Sequence, residues 1–118
     1  MSQKHIRELR YYRHYFYEFY EELSPTAKAK FKWTLDLICS LQRIPAKYIR
    51  YLHDTDGLYE IRVEVGSDIY RLFCLFDRGN LVVLMNGFKK KSQKTPKIEI
   101  ALATKLKKEY EKEKSGLS

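Results

Sequence analysis

The sequence predicts an α+β fold: an antiparallel sheet of about four strands, two N-terminal helices packed on one of its faces, and a C-terminal helix. Three observations carry this. Apolar residues recur at helical spacing from about residue 14 to residue 42. Three β-branched, aromatic or aliphatic runs then follow in succession, separated by short turn signals. Helical spacing returns after Pro96. Strands grouped together between helices, without strict alternation, point to α+β rather than to a parallel α/β sheet.

The elements follow in order. Residues 6 to 12 are compatible with a first, edge strand, although their alternation is poor. Phe16, Phe19, Tyr20 and Leu23 stand at i, i+3, i+4 and i+7, which puts them on one side of a short helix as a core stripe. Ser24 supplies an N-cap and Pro25 a first-turn residue for a second helix, whose stripe of Ala27, Phe31, Leu35, Ile38 and Leu41 runs to about residue 42. Pro45 ends it, and 46–57, with Asp54-Thr55-Asp56-Gly57, reads as a connection. Residues 58–65, 68–77 and 80–88 are the three strands of a meander. From Pro96 onward Ile100, Ala103, Lys107 and Tyr110, with Leu102 and Leu106 beside them, mark the terminal helix.

Length and composition bound the rest. A chain of 118 residues with 44% hydrophobic content suits one domain, spanning 1–118, with a single core. No run of about 18 apolar residues and no charged-then-apolar leader is present, so the expectation is a cytoplasmic protein without a membrane span. Cys39 and Cys74 are not spaced as metal ligands and are expected to be buried thiols. A net charge of +8 calls for an anionic partner, and nucleic acid suits it better than a membrane because the lysines cluster in a loop, not on an amphipathic helix. That cluster lies in 87–97, where Lys89, Lys90, Lys91, Lys94 and Lys97 occur with no acid among them.

Hairpin register sharpens the cluster into a site. If Gly66-Ser67 is a two-residue loop, Val65 pairs with Asp68 and Arg62 falls opposite Arg71. Carrying this parity across a two-residue turn at Arg78-Gly79 puts Arg71 opposite Asn86, or opposite Phe88 if Gly79-Asn80 is the loop. A three-residue loop breaks that parity. The other face is then expected to hold Tyr59, Ile61, Val63, Tyr70, Leu72, Cys74, Phe76, Leu81, Val83 and Met85 as a core surface for the two helices. The Arg62 face is expected to divide, with Phe73, Leu75, Val82 and Leu84 at an apolar end and Arg62, Arg71, Asn86 and the lysine loop at a cationic end. Like charges directly opposite cost on the order of 0.2–1 kcal/mol. Glu60 and Glu64, diagonal to Arg71, neutralise the pair in one reading. In the other the arginines hold a phosphate, for which their planar forks are suited.

Leu58-Tyr59-Glu60-Ile61-Arg62, Tyr70-Arg71-Leu72-Phe73 and the run Leu84 to Pro96, with its Gly-Phe-Lys-Lys-Lys-Ser-Gln-Lys-Thr-Pro element, resemble the RelE/HigB toxin superfamily, and within it the phage-derived HigB-like branch. The resemblance implies a RelE-like fold and the toxin of a type II toxin–antitoxin system: an endoribonuclease, or mRNA interferase, that cuts mRNA on the ribosome and so inhibits translation. It also implies a cognate helix-turn-helix antitoxin. Arg62 and Arg71 match the family's paired strand arginines, and Lys90 or Lys91 a basic residue after the last strand. Lys47, Arg50 and His53 correspond only loosely to residues before the second strand.

Metal-free RNA cleavage requires in-line attack by the 2′-hydroxyl, a proton donor or acceptor, and a cationic brace, so neither a metal nor a cofactor is called for. His5, His14 and His53 are scattered and offer no paired histidines. The catalytic candidates are Arg62 and Arg71 for the phosphate, with Lys90 or Lys91 in proton transfer, because a lysine among cations has a lowered pKa. Arg71 is expected to be replaceable by alanine without unfolding the domain. Lys89, Gln93, Lys94, Lys97, Asn86 and Lys47 are the RNA-binding candidates; for the lysines, simple solvation is the bland alternative. Phe88 either stacks on a base or packs in the core, and Thr95 is expected to cap the last helix. The competing functions are a gyrase poison of the same fold and a non-catalytic RNA- or ribosome-binding module.

Overall fold

The computed structural model, which describes residues 5–91 and 94–116, has helices on both faces of one mixed sheet. Its elements are β1 (Glu8–Tyr11), α1 (Tyr15–Glu21), α2 (Pro25–Ser40), β2 (Ile49–Tyr51), β3 (Tyr59–Val65), β4 (Asp68–Asp77), β5 (Leu81–Lys90) and α3 (Lys97–Ser115). The strand order is β1-β5-β4-β3-β2. Ser24 caps α2 as its sequence suggests, its side chain accepting a hydrogen bond from the Ala27 amide at 3.1 Å, with Pro25 in the first turn.

The sheet departs from the sequence expectation in two ways. It has five strands because Ile49–Tyr51, inside the segment read as a connection, pairs antiparallel with β3 and buries Ile49. It is not wholly antiparallel, because β1 runs parallel to β5. A three-residue strand between Pro45 and an Asp/Gly turn carries too little pattern to be read, and strand direction at an edge is set by a partner far along the chain.

Around Gly66-Ser67 the register is as expected, with Val65 opposite Asp68 and Arg62 opposite Arg71. The next turn is different. Asp77 pairs with Leu81, so residues 78–80 form a three-residue loop that reverses the parity of β5. Leu81, Val83 and Met85 therefore pack on the α3 side and Val82 and Leu84 on the α1/α2 side, opposite to the expected assignment. A register shift between Leu72 and Cys74 then restores the parity, and Arg71 lies opposite Phe88. This β-bulge re-aims the end of β5.

Two clusters make the core. On one face Phe31, Ile38, Ile61 and Leu72 are fully buried, and Phe19, Phe31 and Tyr70 meet edge to face at 5.5–6.2 Å. Phe19 lies so close to β5 that a Cβ on Gly87 would come within 2.7 Å of its ring, which is why no side chain fits there. On the other face α3 sets Ala103, Leu106 and Tyr110 against Phe73, Leu75, Val83, Met85 and Phe88. Cys39 and Cys74 are buried free thiols, and burial holds both above the usual thiol pKa.

Candidate functional site

The α3-facing side of the sheet continues past the end of that apolar cluster. Arg50 pairs with Glu60, Glu60 with Phe73, Arg62 with Arg71, Arg71 with Phe88, and Ile69 with Lys90. Because alternate residues share a face, Arg50, Glu60, Arg62, Arg71 and Lys90 point to the same side. β5 reaches Lys90, so Lys89 and Lys90 belong to a strand rather than a loop and face opposite ways.

Arg71 is 3% exposed and Glu60 6%. The Arg71 Nε stands 3.4 Å from Glu60 Oε1, an ion pair without an aligned hydrogen bond, while Nη1 donates to the Tyr70 carbonyl at 3.1 Å. The Thr95 hydroxyl donates to the other Glu60 oxygen at 3.2 Å. That is where Thr95 departs from expectation: α3 starts at Lys97 behind Pro96, with no side-chain cap, because the hydroxyl is engaged by Glu60. Burial lowers the pKa of Arg71, opposed by Glu60 and assisted by Arg62. An arginine so placed is part of the fold as well as the site, so its replacement by alanine, expected not to unfold the domain, carries a structural cost.

Arg62 differs from its cross-strand partner. It is half-buried, and its Nε has no hydrogen-bond partner among the described residues. Lys90 is also half-buried; its pKa is lowered first by burial, then by Arg71, with Arg62 and Arg50 adding and Glu60 opposing. The site is thus a row of cations anchored on one buried carboxylate.

The other candidates are distributed unevenly. Lys91 and Lys97 are exposed, as is Lys94, and Lys89 lies 3.3 Å from Asp68, away from the arginine face. Gln93 lies outside the described residues. Asn86 is buried and its Nδ2 donates to the Glu99 carbonyl and carboxylate at 3.1 and 3.0 Å, so it secures α3. Phe88 packs against Phe73 at 5.5 Å. Lys47 is exposed and lines a groove with Arg62. His5 pairs with Asp36, His14 stacks on Tyr15, and His53 meets Tyr51 edge-on. Among the described residues no group of three or more His, Cys, Asp or Glu is placed to hold a metal ion.

Two residues were undervalued by sequence reasoning. Glu60 was visible only as a charge neutraliser, whereas it ties Arg71 to the segment before α3. Arg50 was loosely placed because β2 could not be read; once that strand is recognised, alternation alone sets it beside Arg62.

Residues 18–108 match the model of the family described as Phage derived protein Gp49-like (DUF891). Among solved structures, a chain of the archaeal RelE–RelB complex from Pyrococcus horikoshii OT3 is similar, with a TM-score of 0.54 and 14% identity over 76% of this chain and 99% of that chain. At that identity the likeness is one of fold. None of the curated proteins compared matches the sequence.

Proposed function

This chain belongs to the phage-derived Gp49-like family and has the fold of the RelE/HigB superfamily, and from that premise we propose that it is the toxin of a type II toxin–antitoxin system. Its activity is endoribonucleolytic: it cleaves mRNA on the ribosome, in the cytoplasm, and so inhibits translation. The observation that carries this reading is the convergence of Arg50, Arg62, Arg71 and Lys90 on one sheet face, where among the described residues Glu60 is the one acid in ion-pair contact with them. Like charges gathered in this way repel one another, and a polyanion placed against them relieves that repulsion.

In the reaction the 2′-oxygen forms a bond to phosphorus as the bond to the 5′-oxygen breaks, leaving a 2′,3′-cyclic phosphate and a 5′-hydroxyl. Arg62 and Arg50 grip the non-bridging oxygens, and Arg71 adds a fixed positive charge from beneath, oriented by Glu60. Lys90 gives its proton to the departing 5′-oxygen, for which a lowered pKa makes it a stronger acid. The 2′-hydroxyl proton passes to solvent. Lys91, Lys94, Lys97 and Gln93 hold flanking phosphates. Neither metal nor cofactor enters these steps.

The RelE–RelB assembly of the archaeal relative supports a protein partner for this chain, which we take to be a helix-turn-helix antitoxin. Primer extension on mRNA from a reconstituted translation reaction tests the proposal. Cuts that require ribosomes and vanish in Arg62→Ala are expected. A DNA-damage response without cuts would instead indicate a gyrase poison, and neither effect a non-catalytic binding module.

A further inference from the structure

The cationic face does not stop at Arg62. The β2 ladder ends where Ile49 meets Ile61, so beyond the Arg62 amide, which donates to the Tyr48 carbonyl at 2.8 Å, no strand among the described residues covers the edge of β3. A groove of about 220 Å³ follows that edge, lined by Arg62, Lys47, Tyr48, Lys30 and a single acid, Glu64, among others. It leads to the outer side of α2. There Trp33, the only tryptophan of the chain, is 48% exposed. Its ring meets Tyr48 edge to face at 5.8 Å, Lys30 Nζ stands 4.8 Å from its centroid, and Lys47 Nζ lies 5.7 Å from that of Tyr48.

Nothing in the fold requires this arrangement. The buried stripe of α2 is Ala27, Phe31, Thr34, Leu35, Ile38 and Cys39, and Trp33 is outside it. A half-exposed indole between lysines is unfavourable for solubility yet well suited to an unpaired nucleotide, whose base offers a stacking face and whose phosphate needs a cation. Arg62, whose buried Nε has no hydrogen-bond partner among the described residues, lines the same groove.

We propose that Trp33, Tyr48, Lys30 and Lys47 form a second RNA-contact site, which takes unpaired nucleotides flanking the phosphate held at Arg62. This rests on the reading that the substrate is RNA. It adds an aromatic stacking platform, on the opposite side of the edge strand from the lysine segment, and so gives the bound strand a path around the sheet edge.

Because Trp33 is the sole tryptophan, its fluorescence reports the site directly. A 2′-O-methyl oligoribonucleotide of about eight residues, which cannot be cleaved, is titrated into the intact protein while anisotropy of a labelled copy follows total binding. Saturable quenching is expected, coincident with the anisotropy change. Trp33→Leu should weaken binding about tenfold. Lys30→Gln with Lys47→Gln should lower the dependence of log affinity on log salt by about 1.4. Tyr48→Leu, which keeps the fluorophore, should weaken binding with quenching still present. Circular dichroism excludes unfolding as the cause. Binding by anisotropy without quenching, or unchanged affinity in Trp33→Leu, overturns the proposal and leaves this surface to a protein partner. Quenching by a wild-type protein that makes no cuts in the translation reaction upholds the contact site while removing the nuclease reading.

Discussion

The sheet face that meets α3 has two halves built from the same central strands, and they handle burial in opposite ways. In one, Phe73, Leu75, Val83 and Met85 lie under Ala103, Leu106 and Tyr110 of α3. That helix is held near its start by the Asn86 bonds to Glu99 and near its end by Tyr110 and Lys114, which both donate to Asp77. In the other half, Arg50, Arg62, Arg71 and Lys90 gather around one buried carboxylate. The first half stabilises the fold by removing apolar surface from water. The second concentrates like charge beside one buried ion pair. The difference separates residues that hold the fold from those that the proposed function assigns to a substrate, and it divides even Arg71 from Arg62, which face each other in register.

The largest expected effect tests that last division. Arg71→Ala removes the ion-pair partner of the buried Glu60 carboxylate and should destabilise the protein by about 3–5 kcal/mol in denaturant titrations. Replacing both partners, Glu60→Leu with Arg71→Met, should recover most of the loss. Arg62→Ala removes a side chain with an unsatisfied Nε and should change stability by less than about 1 kcal/mol. It should nevertheless slow cleavage about 10²- to 10³-fold. Equal stability effects for the two arginines would erase the contrast.

Next is Leu106→Ala, a truncation at a side chain only 1% exposed. A cost of about 2–5 kcal/mol is expected. Cleavage per folded molecule, measured well below the melting temperature, should be unchanged, since the proposed mechanism puts the reacting phosphate on the cationic half. Lost activity at full folding would mean that the halves are coupled through α3.

A smaller effect concerns the clamp at the end of α3. Hydrogen bonds from Lys114 and Tyr110 hold the Asp77 carboxyl at a pKa of about 2, below its unfolded value near 3.9. The contribution is therefore complete above about pH 4 and fades as pH falls toward 2. Melting curves of wild type and Asp77→Asn should differ at pH 5 and converge near pH 2. A constant gap would show that the clamp acts through packing alone.

How far the sequence disclosed this arrangement depends on how local each signal is. Ser24-Pro25 and the Gly66-Ser67 turn act on their immediate neighbours, so the α2 cap and the Arg62–Arg71 pairing were legible. The parity of β5 was not, because a three-residue loop and a later bulge cancel only in part, and neither has a compositional mark. Glu60 looked like a surface counter-charge; it is buried and accepts a hydrogen bond from Thr95, a residue separated from it by two strands. β2 exists because β3 presents an edge, not because Ile49-Arg50-Tyr51 would be a strand elsewhere. Arg50 and the path to Trp33 stayed hidden for the same reason.

The smallest expected effect separates a proton donor from a phosphate grip. If Lys90 protonates the leaving oxygen, cleavage must decline as pH rises through its pKa, and that decline should come at lower pH than an ordinary lysine gives, because burial and the nearby arginines disfavour its charged form. Lys90→Arg retains the charge but does not titrate in this range. A grip would survive that change with its rate nearly intact, whereas a donor would not. Arg50→Gln then sharpens the result. Arg50 is exposed and is one of the cations that lower the Lys90 pKa, so its removal should move the alkaline limb upward without moving the melting temperature. A limb that stays in place would assign the titration to another group and return Lys90 to the row of cations that only hold the strand.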